Sequence, residues 1–178
     1  MSKDGGRSEI KSERNFLGRR YECDSNCPDF HTSLARCNSS KVESGAWALY
    51  EKPNFAGYVY ILTKGEYADY RRWMGFNDHV ASCRLINQVS SSIYKIQIVN
   101  KGEYESQTIE FTEDCPSVFE QFHIQHIDSC NVLDGAWVFY EQANYRGRQY
   151  LLEKGEYKKA ADWGATSSTV ESFRRIIE

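Results

Sequence analysis

A chain of 178 residues is long enough for one large domain or for two of about 90 residues each. Apolar residues make up 40% and charged residues 26%, a globular composition that excludes a disordered chain. Lys and Arg number 22 against 25 Asp and Glu, a net charge of −3, so no basic excess points to nucleic acid, and no apolar run approaches the roughly 18 residues of a membrane span. The chain opens on a polar segment without the apolar centre of a signal peptide. A flexible arm is expected over 1–6, in a cytosolic protein whose six cysteines are mostly reduced. Short runs rich in β-formers follow, at 47–51 and 58–62, then a polar stretch at 87–92, then further runs at 94–98, 137–141 and 149–153. Only 116–127 suggests a helix, and a short one. The expectation is an all-β protein with one domain over 7–86, a linker over 87–92 and a second domain over 93–178.

The two halves repeat. Residues 46–67 and 136–157 agree at twelve of 22 positions, at an offset of 90. The register extends outward: Gly45 matches Gly135, Trp73 matches Trp163, and Ser82 matches Ser172. Each half also carries a fainter copy of the same unit, at 13–23 and at 100–110, which makes four units in all. Lys-Gly-Glu-Tyr recurs at 64–67, 101–104 and 154–157 and reads as turn punctuation.

The best units share aromatic-Glu-x-x-x-aromatic-x-Gly: Tyr50, Glu51, Phe55 and Gly57, and again Tyr140, Glu141, Tyr145 and Gly147. This suits a tight folded hairpin, in which the glycine takes a positive φ that a Cβ would oppose. A four-fold repeat of this kind, with one Trp pair per half, resembles the βγ-crystallin family. The resemblance implies two domains, each a β-sandwich of two Greek-key motifs. Two units depart from the pattern. The first has Lys11–Ser12 where Tyr-Glu is expected, and the apolar positions of its first strand are thinned to Ser8 and Ile10. The third has Val99–Asn100, and Ser106 in place of glycine, which predicts a strained position costing on the order of 1 kcal/mol.

Candidate chemistry is sparse. Cys23, Cys27, His31 and Cys37 have a loose zinc-like spacing. The family resemblance implies free thiols there instead, and leaves open a reversible disulfide between neighbours such as Cys23 and Cys27. His123 and His126 lie three apart on the predicted helix, where they could share a face. No catalytic motif or nucleotide fingerprint occurs, so no catalytic residue and no cofactor is expected. Some members of the family bind calcium through Asn/Asp-Asn/Asp-x-x-Ser/Thr-Ser, because a hard cation needs clustered oxygens. Residues 77–82 match at Asn77, Asp78 and Ser82 but lose a hydroxyl at Ala81, and their counterpart at 167–172 has no carboxylate at its first two positions. Asn77, Asp78 and Ser82 are therefore weak calcium candidates. Trp47, Trp73, Trp137 and Trp163 read as core, one pair per half.

The resemblance implies a structural constituent of the eye lens: a long-lived monomer of fibre-cell cytoplasm that raises refractive index. Weak contacts with other crystallins, and none with nucleic acid or membrane, belong to that reading. The alternatives are a binding module on this scaffold, presenting Arg7–Lys11 and residues 99–109, and a weak calcium-binding protein.

Overall fold

The computed structural model describes residues 6–31, 33–34, 36–87 and 93–177. The chain divides after Ile86 into two units. Of the arm expected over 1–6, only Gly6 is among the described residues, and it is buried where a side chain would collide with Leu85 and Trp47. Of the linker expected over 87–92, residues 88–92 lie outside the described residues.

The first unit contains β1 (Arg7–Lys11), β2 (Arg20–Cys23), β3 (Ser39–Ser44), β4 (Trp47–Lys52), β5 (Ala56–Leu62), β6 (Gly65–Tyr67) and β7 (Ser82–Leu85). One sheet runs β2-β1-β3-β6, and β4 pairs with β5 and β7 to make the facing layer. The second unit repeats this with β8 (Lys95–Lys101), β9 (Ser106–Phe111), β10 (Ser129–Asp134), β11 (Trp137–Gln142), β12 (Arg146–Leu152), β13 (Gly155–Tyr157) and β14 (Ser172–Arg175). Its sheets are β13-β10-β8-β9, and β11 paired with β12 and β14. In each unit the short strand β6 or β13 returns to the sheet begun by the preceding motif, the crossover of a Greek key.

Period-two patterning sets the faces. In β1, Ser8 and Ile10 are buried while Arg7 is exposed, and Glu9 and Lys11 pair on the outer side at 3.3 Å. In β8, Ile96 and Ile98 are fully buried between outward-facing Lys95, Gln97 and Val99. The four tryptophans lie in the cores as expected, and Trp47 and Trp137 each donate an indole N–H to a backbone carbonyl, of Ser44 and Asp134. The helix expected over 116–127 is α1 (Val118–Phe122), capped by the Ser117 hydroxyl, which accepts from the Glu120 N–H. It stops because His123 adopts a left-handed conformation.

Three of the four units fold their first hairpin back on itself. Asn54 and Phe55 have φ near +60° and Gly57 has φ +79°, and Asn144, Tyr145 and Gly147 repeat the pattern, as do Asn15, Phe16 and Gly18. A Cβ on Gly57 would sit 2.8 Å from the Glu51 carboxylate, so the turn needs glycine on both counts. Tyr50 meets the Phe55 ring at 5.7 Å, and Tyr140 meets Tyr145 at the same distance. In the first unit, where Lys11 replaces that aromatic, the ammonium of Lys41 covers the Phe16 ring instead, 4.5 Å from its centre.

A buried serine clamps each folded hairpin. Ser82 accepts from the Phe55 N–H at 3.1 Å and donates to the Lys52 carbonyl at 2.7 Å. Ser172 does the same for Tyr145 and Gln142, and Ser39 for Phe16 and Glu13. Replacing Ser82 with alanine leaves both backbone groups without this partner. The expected cost is about 1–3 kcal/mol, or roughly 5–15 °C in the first unit's melting temperature by calorimetry. An unshifted transition would show that the hairpin holds without its clamp.

The third unit is built differently. Val99 pairs with Thr108, as Lys11 pairs with Arg20 in the first unit, but the ladder then continues through Asn100–Gln107 to Lys101–Ser106. The loop shrinks to 102–105, closed by the Gly102 N–H donating to the Glu105 carbonyl at 2.7 Å. Ser106 lies in a strand and is not among the residues with positive φ, so the strain expected there does not exist. Without the glycine and the stacking aromatic, the chain forms a plain hairpin instead of a folded one.

Candidate functional site

The calcium candidates sit where β7 begins. The Ser82 hydroxyl is committed to the Phe55 hairpin and is fully buried, so it offers no oxygen to a cation. The Asn77 carboxamide accepts from the backbone N–H of His79 at 2.8 Å. Asp78 is ringed by donors: Asn38 Nδ2 at 3.3 Å, Arg36 Nε at 3.6 Å and His79 Nε2 at 3.6 Å. The guanidinium supplies positive charge where a calcium ion would supply it. A groove of about 690 Å³ beside Asp78 is lined by Arg14 and Arg36 as well as Glu13, so it presents both signs of charge. Each of the three candidate residues thus already takes part in a hydrogen bond or ion pair of the fold.

The cysteines also depart from their sequence grouping. All six are free thiols. Cys23 lies 3.0 Å from Cys83, sixty positions along the chain, while the half-buried Cys27 accepts from the Tyr21 hydroxyl at 3.1 Å. That hydrogen bond and burial raise the Tyr21 pKa. The hydrogen bond that the Cys83 thiol donates to Cys23, and burial, raise that of Cys83. Among the described residues no group of three His, Cys, Asp or Glu side chains could hold a metal ion, and His31 is exposed, apart from the buried thiols of Cys23 and Cys37. His123 caps α1 and His126 pairs with Asp128 at 3.4 Å, so the two do not share a helix face.

Burial pushes the Cys130 thiol from 9.0 up to about 12. In the unfolded chain this proton leaves near 9.0; in the folded chain it is retained to about 12. Across that window the unfolded state binds fewer protons, so stability falls as pH rises, by about 1.4 kcal/mol per pH unit for this group. Denaturant midpoints taken between about pH 9 and 11 should therefore decline less steeply in Cys130→Ala than in the parent. Equal slopes would mean that the thiol titrates normally.

What remains is a pair of double-layered Greek-key units with clamped hairpins and, among the described residues, no group of three His, Cys, Asp or Glu placed to hold a metal ion. The family model for Beta/Gamma crystallin matches residues 10–86 and 95–176. The chain belongs to the βγ-crystallin family. It is similar to Gamma-crystallin S of Oryctolagus cuniculus, with 60% identity over 178 residues that cover 100% of this chain and 99% of that one. It is 61% identical to Gamma-crystallin S of Cyprinus carpio over 173 residues, covering 97% of this chain and 99% of the other. Among solved structures, a βγ-crystallin from Ciona intestinalis matches 46% of this chain and all of its own length, at 26% identity and a TM-score of 0.43. Crystallins of this kind are structural proteins, not enzymes. The hairpin clamp is the feature that sequence reading missed in this βγ-crystallin. Its signal was available in the repeat, since Ser82 and Ser172 both lie 27 positions after the aromatic they hold.

Proposed function

We propose that this protein is a structural constituent of the eye lens, a soluble and long-lived protein of fibre-cell cytoplasm that contributes refractive index and transparency. The observation that carries this reading is full-length identity of 60–61% with Gamma-crystallin S of two vertebrates. The physical task is packing to high concentration without scattering, and the surface suits it. The outer face of the first unit's four-stranded sheet alternates charge, with Arg7 near Glu22 and Glu43 at 3.5 Å and Arg20 near Glu22 at 3.7 Å. Such exposed pairs add little stability but leave no single-signed field to draw partners. A 14% share of polarizable aromatic residues raises refractive increment per unit mass.

In this reading the protein is a monomer in dilute solution, contacts other crystallins weakly, and needs no cofactor or catalytic residue. Asn77, Asp78 and Ser82 act in structure and not in calcium binding, because their oxygens already have partners. Quantitative proteomics of the lens soluble fraction tests the reading. The protein should be among the major components there and scarce in other tissues. Absence from the lens would overturn it. Calcium titration calorimetry should be flat, and a saturable heat would revive the calcium reading.

A further inference from the structure

The repeated tetrapeptide Lys-Gly-Glu-Tyr puts its tyrosine to structural use in two copies and releases it in the third. The Tyr67 hydroxyl donates to the Thr63 carbonyl at 2.9 Å and accepts from the Thr63 N–H at 3.1 Å. Tyr157 makes the same pair of bonds with Glu153, at 3.0 and 2.9 Å. Both rings are half-buried and pack against the cores of their units. The plain third hairpin instead carries Tyr104 at its tip, 91% exposed, with no hydrogen bond to its hydroxyl among the described residues. Phe55 and Tyr145, its counterparts in the folded hairpins, each pack on a partner ring. Of the 12 tyrosines in the chain, Tyr104 alone is exposed. Residues 101–108 are exposed throughout, so accessible chain flanks the ring on both sides. The last ladder pair is Lys101–Ser106, and the loop beyond it is closed by the Gly102–Glu105 bond. Exposed terminal bonds of this kind open at little cost, which lets the tip adapt to a binding cleft.

We propose that Tyr104 is a phosphorylation site, the acceptor of a protein tyrosine kinase that selects acidic residues beside the tyrosine. Kinases discriminate among substrates by the charge pattern around the acceptor, and here Glu103 and Glu105 flank it. Glutamate also precedes Tyr67 and Tyr157, so this local signal occurs three times and the fold presents one of them. In the reaction the Tyr104 hydroxyl oxygen attacks the γ-phosphorus of ATP. The bond from that phosphorus to the oxygen bridging it to the β-phosphate breaks, ADP leaves, and the phenolic proton passes to the kinase's aspartate. The product carries about −1.5 to −2 of new charge beside two carboxylates, which takes the net charge from −3 to about −5. Within 99–109 the single cation is Lys101, so the sequence supplies no arginine pair to draw the phosphate onto the hairpin. The added charge stays in solvent and strengthens repulsion between molecules. The inference rests on the cytoplasmic reading above only for its supply of ATP, and a reaction on purified protein separates the two.

The test is incubation of the full-length protein with magnesium, ATP and a purified tyrosine kinase that prefers glutamate before its acceptor. Intact mass should show one phosphate per chain, and peptide mapping should place it on Tyr104. Tyr104→Phe should abolish incorporation and leave the circular dichroism spectrum unchanged. Glu103→Lys should slow incorporation several-fold. Free peptides spanning 99–109 and 152–162 should both be labelled, although only the first site is labelled in the folded protein. Light scattering should give a higher second virial coefficient after phosphorylation. An unlabelled folded protein, label on Tyr67 or Tyr157 of the folded chain, label that persists in Tyr104→Phe, or a virial coefficient that does not rise would each overturn the proposal.

Discussion

Replacing Phe173 with alanine should cost about 3–5 kcal/mol and lower the second unit's melting temperature by about 15–30 °C. Phe173 is fully buried in β14. Its ring centre lies 4.7 Å from Phe111 and 5.9 Å from both Trp137 and Phe139, so it joins strands of both layers. Three large rings surround the void, and rings of that size cannot collapse into it without leaving their own rotamers. A unit of this length has only about 5–15 kcal/mol in total, so the variant should approach the unfolded state under mild heating. The repeat supplies an internal control. Phe139 pairs with Phe173 as Leu49 pairs with Cys83 in the first unit, so Cys83→Ala removes a single sulfur at the equivalent place. Its cost should be several-fold smaller. Calorimetry on the two variants decides the matter, and a shift below about 5 °C for Phe173→Ala would show that the ring cluster is not cooperative.

The first unit should unfold before the second. Three inward positions carry less apolar volume in the first unit: Ser8 stands for Ile96, Cys23 for Phe111 and Cys83 for Phe173, as the parallel registers show. Each exchange is worth roughly 1–3 kcal/mol of burial, which together gives a difference of several kcal/mol. The third hairpin does not offset this, because its plain form carries no strain at Ser106. Covering the Phe16 ring with the Lys41 ammonium returns only about 0.5–1 kcal/mol at a half-exposed site. Hydrogen exchange on the intact protein should show faster exchange at Ile10 and Tyr21 than at Ile98 and Ile109, which hold the same places in the two units. The reverse order would mean that the close-packed thiols and outer ion pairs of the first unit contribute more than burial predicts.

The sequence by itself determined the all-β class, the twofold repeat, the buried tryptophans and the two strongest hairpins. Each of these rests on local pattern: period-two apolar positions, an offset of 90, and a glycine six positions after a glutamate. Reading the third unit by alignment to its neighbours, however, placed a strained Ser106 where the chain makes an ordinary strand. The tetrapeptide Lys-Gly-Glu-Tyr shows why. At 64–67 and 154–157 it enters the short returning strands β6 and β13, with Gly65 at φ 151° and Gly155 at φ 145°. At 101–104 the same four residues end β8 and form the hairpin tip, with Tyr104 in solvent. Four residues do not carry enough local free energy to choose between these states, and the ladder available on either side decides. The thiols make the same point over a longer distance. Spacing had grouped Cys23 with Cys27, whereas packing of one layer on the other sets Cys23 against Cys83. Contacts between layers join residues at separations that no periodicity encodes, so only the tertiary structure could assign them.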